Sequence, residues 1–376
     1  MHQNSLDRLR VFTTFAVFLF HCAHVFDGLY FHVSNKESSF FFLVLVLFLN
    51  LWIMPLFFAI SGGTSLYALG KRKFTVFIRE RFFRLVIPYC MGIVLLIPPQ
   101  KYVEALDKGR FQGNFLEFIP FMLSHRSHNY FTPDVFGSYG HHLWFLAFLF
   151  VFSLLVYPLS SLSRPSRGET GFTVAYQGFI RHFAGMRGVA LIAFPLMALS
   201  LAIRPRAPDY GDLPDFVYWF SFFIAGYLIH SSDVMLATLE RRWYLFLIAG
   251  LSSFSVMFAL MGVWGVDCFF NPTYGLHSMV GYSFWYLTAF FLTLAGLGIS
   301  RRYFNSLSPV YLCRLTMPFY AIHQTVVLLV AFMVVRLDLF IGAKFILLAI
   351  IALIGTAILT AVVARFRLTR FLFGMK

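Results

Sequence analysis

The chain is poor in charged residues: Asp, Glu, Lys and Arg make up only 12% of its 376 residues, against about 25% in ordinary soluble domains. Hydrophobic residues make up 59%, and 50 of them are phenylalanine. A soluble core cannot absorb so many apolar side chains, which excludes a soluble globular protein and a disordered chain. Because about 20 residues cross a bilayer as a helix, the sequence predicts a membrane protein with several spans.

Cysteine is also scarce, with four residues in the chain. They form no CxxC motif and lack the His and Cys spacing of a metal site. This excludes a disulfide scaffold, and we expect neither a metal ion nor a permanently bound cofactor.

Ten apolar segments have the length and composition of membrane helices. They lie at about residues 10–31, 40–69, 85–100, 142–162, 188–203, 214–230, 243–265, 279–299, 310–335 and 340–364. The third and fifth are short and end at prolines. The predicted fold is an all-α polytopic membrane protein, a bundle of about ten transmembrane helices forming a single domain over residues 1–376.

The net charge of +14 is explained by topology. With ten spans, about two thirds of the Lys and Arg residues fall on the same side of the membrane as the two termini. They include the residues of a basic loop at 70–84. Since positive loops mark the cytoplasmic side, both termini are predicted to be cytoplasmic. No nucleic-acid-binding motif is present, so nucleic acid is excluded as a partner.

The longest outer connection, 101–141, is rich in His and Tyr, and loops of that length are usually functional or disordered.

Two ionisable residues of the first predicted helix, Arg10 and His21, suggest chemistry, because charged groups inside a membrane are costly. They are separated by almost three whole turns and so share a face, with His21 about 16 Å farther along the axis. An imidazole near the bilayer midplane suits a general base. The alternative is a packing histidine bonded to a neighbour, and the residues leave both open.

The ninth predicted helix carries His323, one turn from Tyr320, at a depth similar to that of His21. A second histidine at this depth strengthens the prediction of a buried polar site. Two such helices could also bind a haem, but no other feature of the sequence favours haem.

Three further segments suit the binding of substrates. Arg81 and Arg84 belong to the basic loop, and guanidinium groups bind phosphate oxygens bidentately. The alternatives are that the loop attracts anionic lipids, or that its charges only set the membrane topology. Ser61 and Gly62, near the end of the second helix, permit close approach of a ligand or of another helix. At the outer start of the fourth helix, His142 and Trp144 could orient a sugar hydroxyl, although Trp is common at membrane interfaces.

Four motifs in order give the chain a resemblance to membrane acyltransferase family 3. They are Arg10-x10-His21, Phe57-Phe58-Ala59-Ile60-Ser61-Gly62, Arg81-x-x-Arg84-Leu85-x-x-Pro88 and His142-Leu143-Trp144-Phe145-Leu146. Within the family, the run 54–100 most resembles the glucan biosynthesis protein C branch. One difference is Gly63, which stands where many relatives carry a bulkier aromatic residue.

The resemblance implies an O-acyltransferase of the bacterial inner membrane. It would move an acyl group of the acetyl or succinyl class from cytoplasmic acyl-CoA, a co-substrate, to a hydroxyl of an extracytoplasmic carbohydrate. Arg10 and His21 are implied as the catalytic pair, Arg81 and Arg84 as donor-binding residues, and His142 with Trp144 as acceptor-side residues. We add His323 as a catalytic residue from its depth, and Ser61 and Gly62 to the donor site.

The competing hypothesis is a polytopic transporter or flippase for a glycan or lipid, because basic inner loops and intramembrane histidines would serve it equally well. A scaffold without chemistry fits poorly with charged groups at costly positions. The acyl group, the acceptor, the oligomeric state and the choice between direct transfer and a covalent acyl-enzyme are left open by the sequence.

Overall fold

The structure is a computed structural model, and it describes residues 2–124, 141–158, 178, 182, 185–206, 213–266, 269, 273–304 and 310–375. Every regular element in these ranges is helical. The helices are α1 (His2–His24), α2 (Phe40–Lys71), α3 (Phe74–Arg81), α4 (Ile87–Leu95), α5 (Ile97–Asp107), α6 (Phe115–Ser124), α7 (Trp144–Leu155), α8 (Met186–Leu191), α9 (Ala193–Ile203), α10 (Leu213–His230), α11 (Asp233–Trp264), α12 (Leu276–Tyr303), α13 (Val310–Val334), α14 (Ile341–Arg365) and α15 (Arg367–Leu372).

Six helical segments of the described residues are long and apolar enough to cross a membrane. They are Phe40–Gly70, Phe74–Asp107, Asp233–Trp264, Leu276–Tyr303, Tyr311–Val334 and Ile341–Arg365. Helix is present at all ten positions predicted from the sequence. The all-α, multi-pass character of the chain is therefore confirmed, whereas the count of ten spans and the side of the termini stay predictions.

The first helix differs from its prediction at both ends: α1 begins at His2 and ends at His24 instead of spanning 10–31. Asp27 explains the early end, because its Oδ2 lies 2.6 Å from Nδ1 of His24 and its Oδ1 accepts a hydrogen bond from the Leu29 amide at 2.8 Å. Gly28 then takes a φ of 82°, a left-handed conformation that glycine adopts without strain. His21 consequently lies in the last turn of α1.

The basic segment at 70–84, predicted as a cytoplasmic loop, is helical from Phe74 onwards and continues through a π-helical turn, Phe82–Val86; its cytoplasmic location stays a prediction. Pro98 and Pro99, where the third span was predicted to end, instead lie in the first turn of α5. A proline there loses no helical hydrogen bond. The predicted outer connection at 101–141 likewise contains the end of α5 and the whole of α6.

The chain divides into two compact units, and its single-domain organisation stays a prediction. The first unit comprises residues 1–13, 51–79 and 151–308. Its helices approach closely at glycines: a Cβ on Gly226 of α10 would meet the backbone of Ala59 on α2, and one on Gly298 of α12 would meet that of Leu239 on α11. Small residues at such positions are typical of helix contacts in membranes.

The second unit comprises residues 14–50, 80–150 and 309–376. Here α13 is tied to the junction of α4 and α5: Gln100 Nε2 donates to Thr325 Oγ1 at 2.8 Å, and Thr325 Oγ1 donates to the Leu96 carbonyl at 3.2 Å. Buried polar bonds of this kind hold two helices in one register. They set α13, which carries His323, against α5.

Candidate functional site

Three histidines from distant parts of the sequence meet in the second unit. The ring centroid of His323, on α13, lies 5.2 Å from that of His21, on α1, and 5.4 Å from that of His142. His142 precedes α7 in a short 3-10 turn, His141–Leu143. His323 has no exposed surface, and His142 is 7% exposed. The structure therefore brings together two histidines predicted as catalytic and one predicted for the acceptor side.

Backbone hydrogen bonds determine which nitrogens of His142 and His323 carry the proton. His323 Nδ1 donates to the Tyr320 carbonyl at 2.7 Å, and His142 Nε2 donates to the Ala321 carbonyl at 2.8 Å. Because a carbonyl oxygen only accepts hydrogen bonds, each bonded nitrogen carries the hydrogen. In the neutral ring the other nitrogen, Nε2 of His323 and Nδ1 of His142, then has the free lone pair.

The two lone-pair nitrogens and Nδ1 of His21 are buried and have no hydrogen-bond partner within the described residues. Leaving a buried polar atom without a partner costs about 1–3 kcal/mol, and such atoms mark a place for a ligand or an ordered water. In the described ranges no group of three or more His, Cys, Asp or Glu side chains is arranged to hold a metal ion.

A carboxylate orients a fourth histidine beside this cluster. The side chain of Asp27 is fully buried, and its carboxylate pairs with His24 at 2.6 Å. The ring of Phe31 is stacked on both α1 histidines, with its centroid 4.3 Å from that of His24 and 6.0 Å from that of His21. A carboxylate that binds one nitrogen of an imidazole fixes the orientation of the ring.

Arg10, predicted as the partner of His21, belongs to the first unit. Its Nη1 pairs with Asp7 Oδ1 one turn earlier in α1, at 3.0 Å, and the Arg10 side chain is 28% exposed. Two residues away, Arg8 has a buried Nη1 without a hydrogen-bond partner in the described part of the chain. In the sequence, Arg8 is only one of the positive charges that indicate topology.

The predicted donor-binding arginines lie at a change of helix type. Arg81 ends α3 and is half-buried, whereas Arg84 lies in the π-helical turn and is exposed. The C-terminal segment packs onto this turn, because a Cβ added to Gly374 would lie 2.8 Å from the Arg84 carbonyl. The backbone carrying Arg84 is thus held by tertiary contact.

Helix packing accounts for Gly62 and Gly63 of α2. A Cβ on Gly62 would overlap the Phe223 carbonyl on α10, and one on Gly63 would lie 2.6 Å from Nδ1 of His230. These contacts favour the packing alternative over donor binding at Gly62. A larger side chain at position 63 has no room, because the His230 ring occupies that space. Ser61 is buried at 4% exposure.

On the predicted acceptor side, Trp144 begins α7 and its ring packs edge-on against Phe148, with centroids 5.3 Å apart. Tyr320 connects α13 to this segment, since its hydroxyl donates to the His142 carbonyl. The histidines and tyrosines at 125–140 that made the outer connection notable lie outside the described residues.

A family model described as an acyltransferase domain, Acyl_transf_3, matches residues 3–365. The chain belongs to membrane acyltransferase family 3. This confirms the family and the enzyme class predicted from the four motifs. Comparisons of the acyltransferase with curated proteins and with solved structures give no match.

Sequence reasoning missed the residues that support the histidine cluster of the acyltransferase. Asp27 is the third residue after His24, and that spacing is the only sequence signal of their pairing. Glu104 lies in a segment predicted as an outer loop, although its side chain is buried. No periodicity in the sequence places it near α1.

Proposed function

We propose that the protein is an O-acyltransferase that moves an acetyl- or succinyl-class group from acyl-CoA to a hydroxyl of a carbohydrate. The observation that carries the proposal is the cluster of His21, His142 and His323, with its three buried and unpartnered nitrogens. Acyl transfer needs a group that takes a proton from the attacking hydroxyl, and neutral imidazole is the side chain best suited to this task near neutral pH.

In the proposed reaction His21 is the base. As the acceptor oxygen forms a bond to the thioester carbonyl carbon, His21 takes the hydroxyl proton. The carbon–sulfur bond then breaks, and the proton passes to the departing CoA thiolate. His323 Nε2 and His142 Nδ1 accept hydrogen bonds from the acceptor hydroxyls and align the attacking oxygen. A transient acyl-His21 intermediate is the alternative route through the same imidazole.

The donor is proposed to bind through charge. Arg81 and Arg84 contact the CoA phosphates, because guanidinium groups bind phosphate bidentately. Arg10 is proposed to assist at its end of α1. Ser61 stays a proposed donor contact, whereas Gly62 serves the approach of α10 to α2.

The location and the branch of the family complete the proposal. The enzyme lies in a bacterial inner membrane with both termini cytoplasmic, so it takes acyl-CoA from the cytoplasm and modifies an extracytoplasmic glycan. The glucan biosynthesis protein C branch suits this arrangement, as do His142 and Trp144 as acceptor-side residues.

Thiol release from acetyl-CoA and succinyl-CoA by the purified protein in detergent tests the proposal. Wild type is expected to release free CoA with at least one donor, and His21→Ala is expected to release none above background. His277→Ala is the matched control, because His277 stacks on Trp264 in the first unit, whereas the three clustered histidines belong to the second unit, and it should keep wild-type release.

Retention of full release in a folded His21→Ala protein would contradict the assignment of the base. Absence of both release and CoA binding in the wild-type protein would contradict acyl-CoA as the donor.

A further inference from the structure

The loop between α1 and α2 is anchored by one buried carboxylate, Glu104 of α5. Its Oε1 accepts a hydrogen bond from the Tyr30 hydroxyl at 2.9 Å, and its Oε2 pairs with His32 Nδ1 at 2.8 Å. Lys101 Nζ donates to Oε2 at 3.1 Å, and Arg110 Nη1 lies 3.9 Å from Oε1. The Glu104 side chain is 5% exposed, so four polar groups converge on a carboxylate with little access to water.

The end of α5 is built to hold this arrangement. Gly109 has a φ of 66°, and the amides of Gly109 and Arg110 donate to the carbonyls of Leu106 and Ala105 at 3.3 and 2.8 Å. This pair of bonds is a Schellman motif, which ends the helix and turns the chain sharply. The turn places Arg110 one residue beyond Gly109, next to Glu104.

Phe31 lies between the two loop residues that Glu104 binds. Because Tyr30 and His32 both reach Glu104, the backbone of the residue between them is held at both sides. The Phe31 ring instead packs on the histidines of α1, parallel to within 15° of His21 and 30° of His24. It is 5% exposed. Phe31 therefore forms one wall of the site that contains His21.

We propose that Glu104 is a positioning residue for the acyl transfer reaction, and that it acts by clamping Tyr30 and His32 so that Phe31 is held against His21. The inference rests on the proposed function of His21. Glu104 itself touches neither substrate, and its effect reaches the reaction through Phe31.

The variants that test this inference are Glu104→Gln, Phe31→Ala and their combination. Glu104→Gln keeps an oxygen for Tyr30 but removes the charge that pairs with Lys101 and Arg110. We expect each single variant to lower kcat for acyl transfer by about tenfold and to change KM for acyl-CoA by less than about twofold, since a small misplacement of reacting groups costs rate more than binding. The double variant is expected to be no slower than Phe31→Ala alone, because both changes remove one interaction.

Two further variants exclude a general loss of stability. Glu240→Gln breaks an ion pair with Arg301, 2.8 Å in length, in the first unit, and should leave kcat unchanged. Tyr30→Phe removes one of the two loop contacts of Glu104 without uncovering a buried charge, and a several-fold loss of kcat is expected. Additive effects of Glu104→Gln and Phe31→Ala, or an equal loss in Glu240→Gln, would overturn the proposal.

Hydrogen exchange separates this inference from the proposed function. The amides of residues 25–39 are expected to exchange at least about tenfold faster in Glu104→Gln than in wild type, whether or not acyl-CoA is the donor. Unchanged exchange in this segment would refute the clamp even if transfer is observed. Faster exchange in a protein that transfers no acyl group would keep the clamp as a structural feature and refute its role in this reaction.

Discussion

The imidazole rings of His21 and His323 lie 5.2 Å apart, centroid to centroid, although one lies in the last turn of the first helix and the other in the thirteenth helix. His323 is held by the carbonyl of Tyr320, which leaves its Nε2 with a lone pair in the buried site. Two imidazoles in this arrangement can act on one substrate. His323 is therefore proposed to align the hydroxyl from which His21 takes the proton.

His323→Leu is expected to lower kcat by about 100-fold, because the hydrogen bond that aligns the attacking oxygen is lost and the reacting groups are misplaced. Leucine fills most of the imidazole volume but accepts no hydrogen bond, so the fully buried position need not collapse. Steady-state thiol release at varied acyl-CoA, compared with His277→Leu, measures the effect. A kcat equal to that of the control would remove His323 from the site.

Asp27→Asn is expected to destabilise the protein by about 1–3 kcal/mol, because it weakens a buried, charge-assisted hydrogen bond with His24. The Leu29 amide bond is retained, since the side-chain carbonyl of asparagine still accepts. Thermal unfolding in detergent measures the change. Asp338→Asn is the control, because Asp338 is exposed and its substitution should leave the melting temperature unchanged. Equal melting temperatures for both variants would mean that the Asp27–His24 pair contributes nothing to stability.

Gly62→Ala and Gly70→Ala test the packing of α2 in one helix. A Cβ at Gly62 would overlap the backbone of α10, whereas nothing lies within 4 Å of a Cβ at Gly70. We expect Gly62→Ala to destabilise by about 1–3 kcal/mol through overpacking, and Gly70→Ala to be neutral or to stabilise by up to about 1 kcal/mol. Thermal unfolding of both variants in detergent measures these changes in stability. A Gly62→Ala protein of unchanged stability and raised KM for acyl-CoA would restore the donor-binding alternative.

Arg81→Gln and Arg84→Gln are each expected to raise KM for acyl-CoA by about tenfold, because a hydrogen bond between charged groups contributes about 1.5–3 kcal/mol. The rate at saturating donor should stay near that of wild type, since the phosphates lie away from the thioester. Arg241→Gln, an exposed arginine of α11, is the matched control. Donor affinity that is unaffected by both substitutions would leave topology as the only role of this basic segment.

Most helices could be predicted from the sequence because the signal is local: long apolar runs such as 340–364 have no other stable form in a membrane. The ends of helices were predicted less well. Asp27 ends α1 because its carboxylate bonds the Leu29 amide and the His24 ring, and a hydropathy pattern does not show this competition with the helix. At 97–107 the prolines suggested the end of a helix, but proline is equally suited to the first turn of a new helix.

The sequence by itself determined the membrane class, the helical fold and the family, because these depend on composition and on motifs that lie close together in the chain. Only the tertiary structure decided which polar side chains meet. His21, His142 and His323 come from three separate segments, and Glu104 reaches Tyr30 and His32 from a fourth. Contacts between such segments depend on how helices pack and where each one ends, and a linear pattern carries neither kind of information.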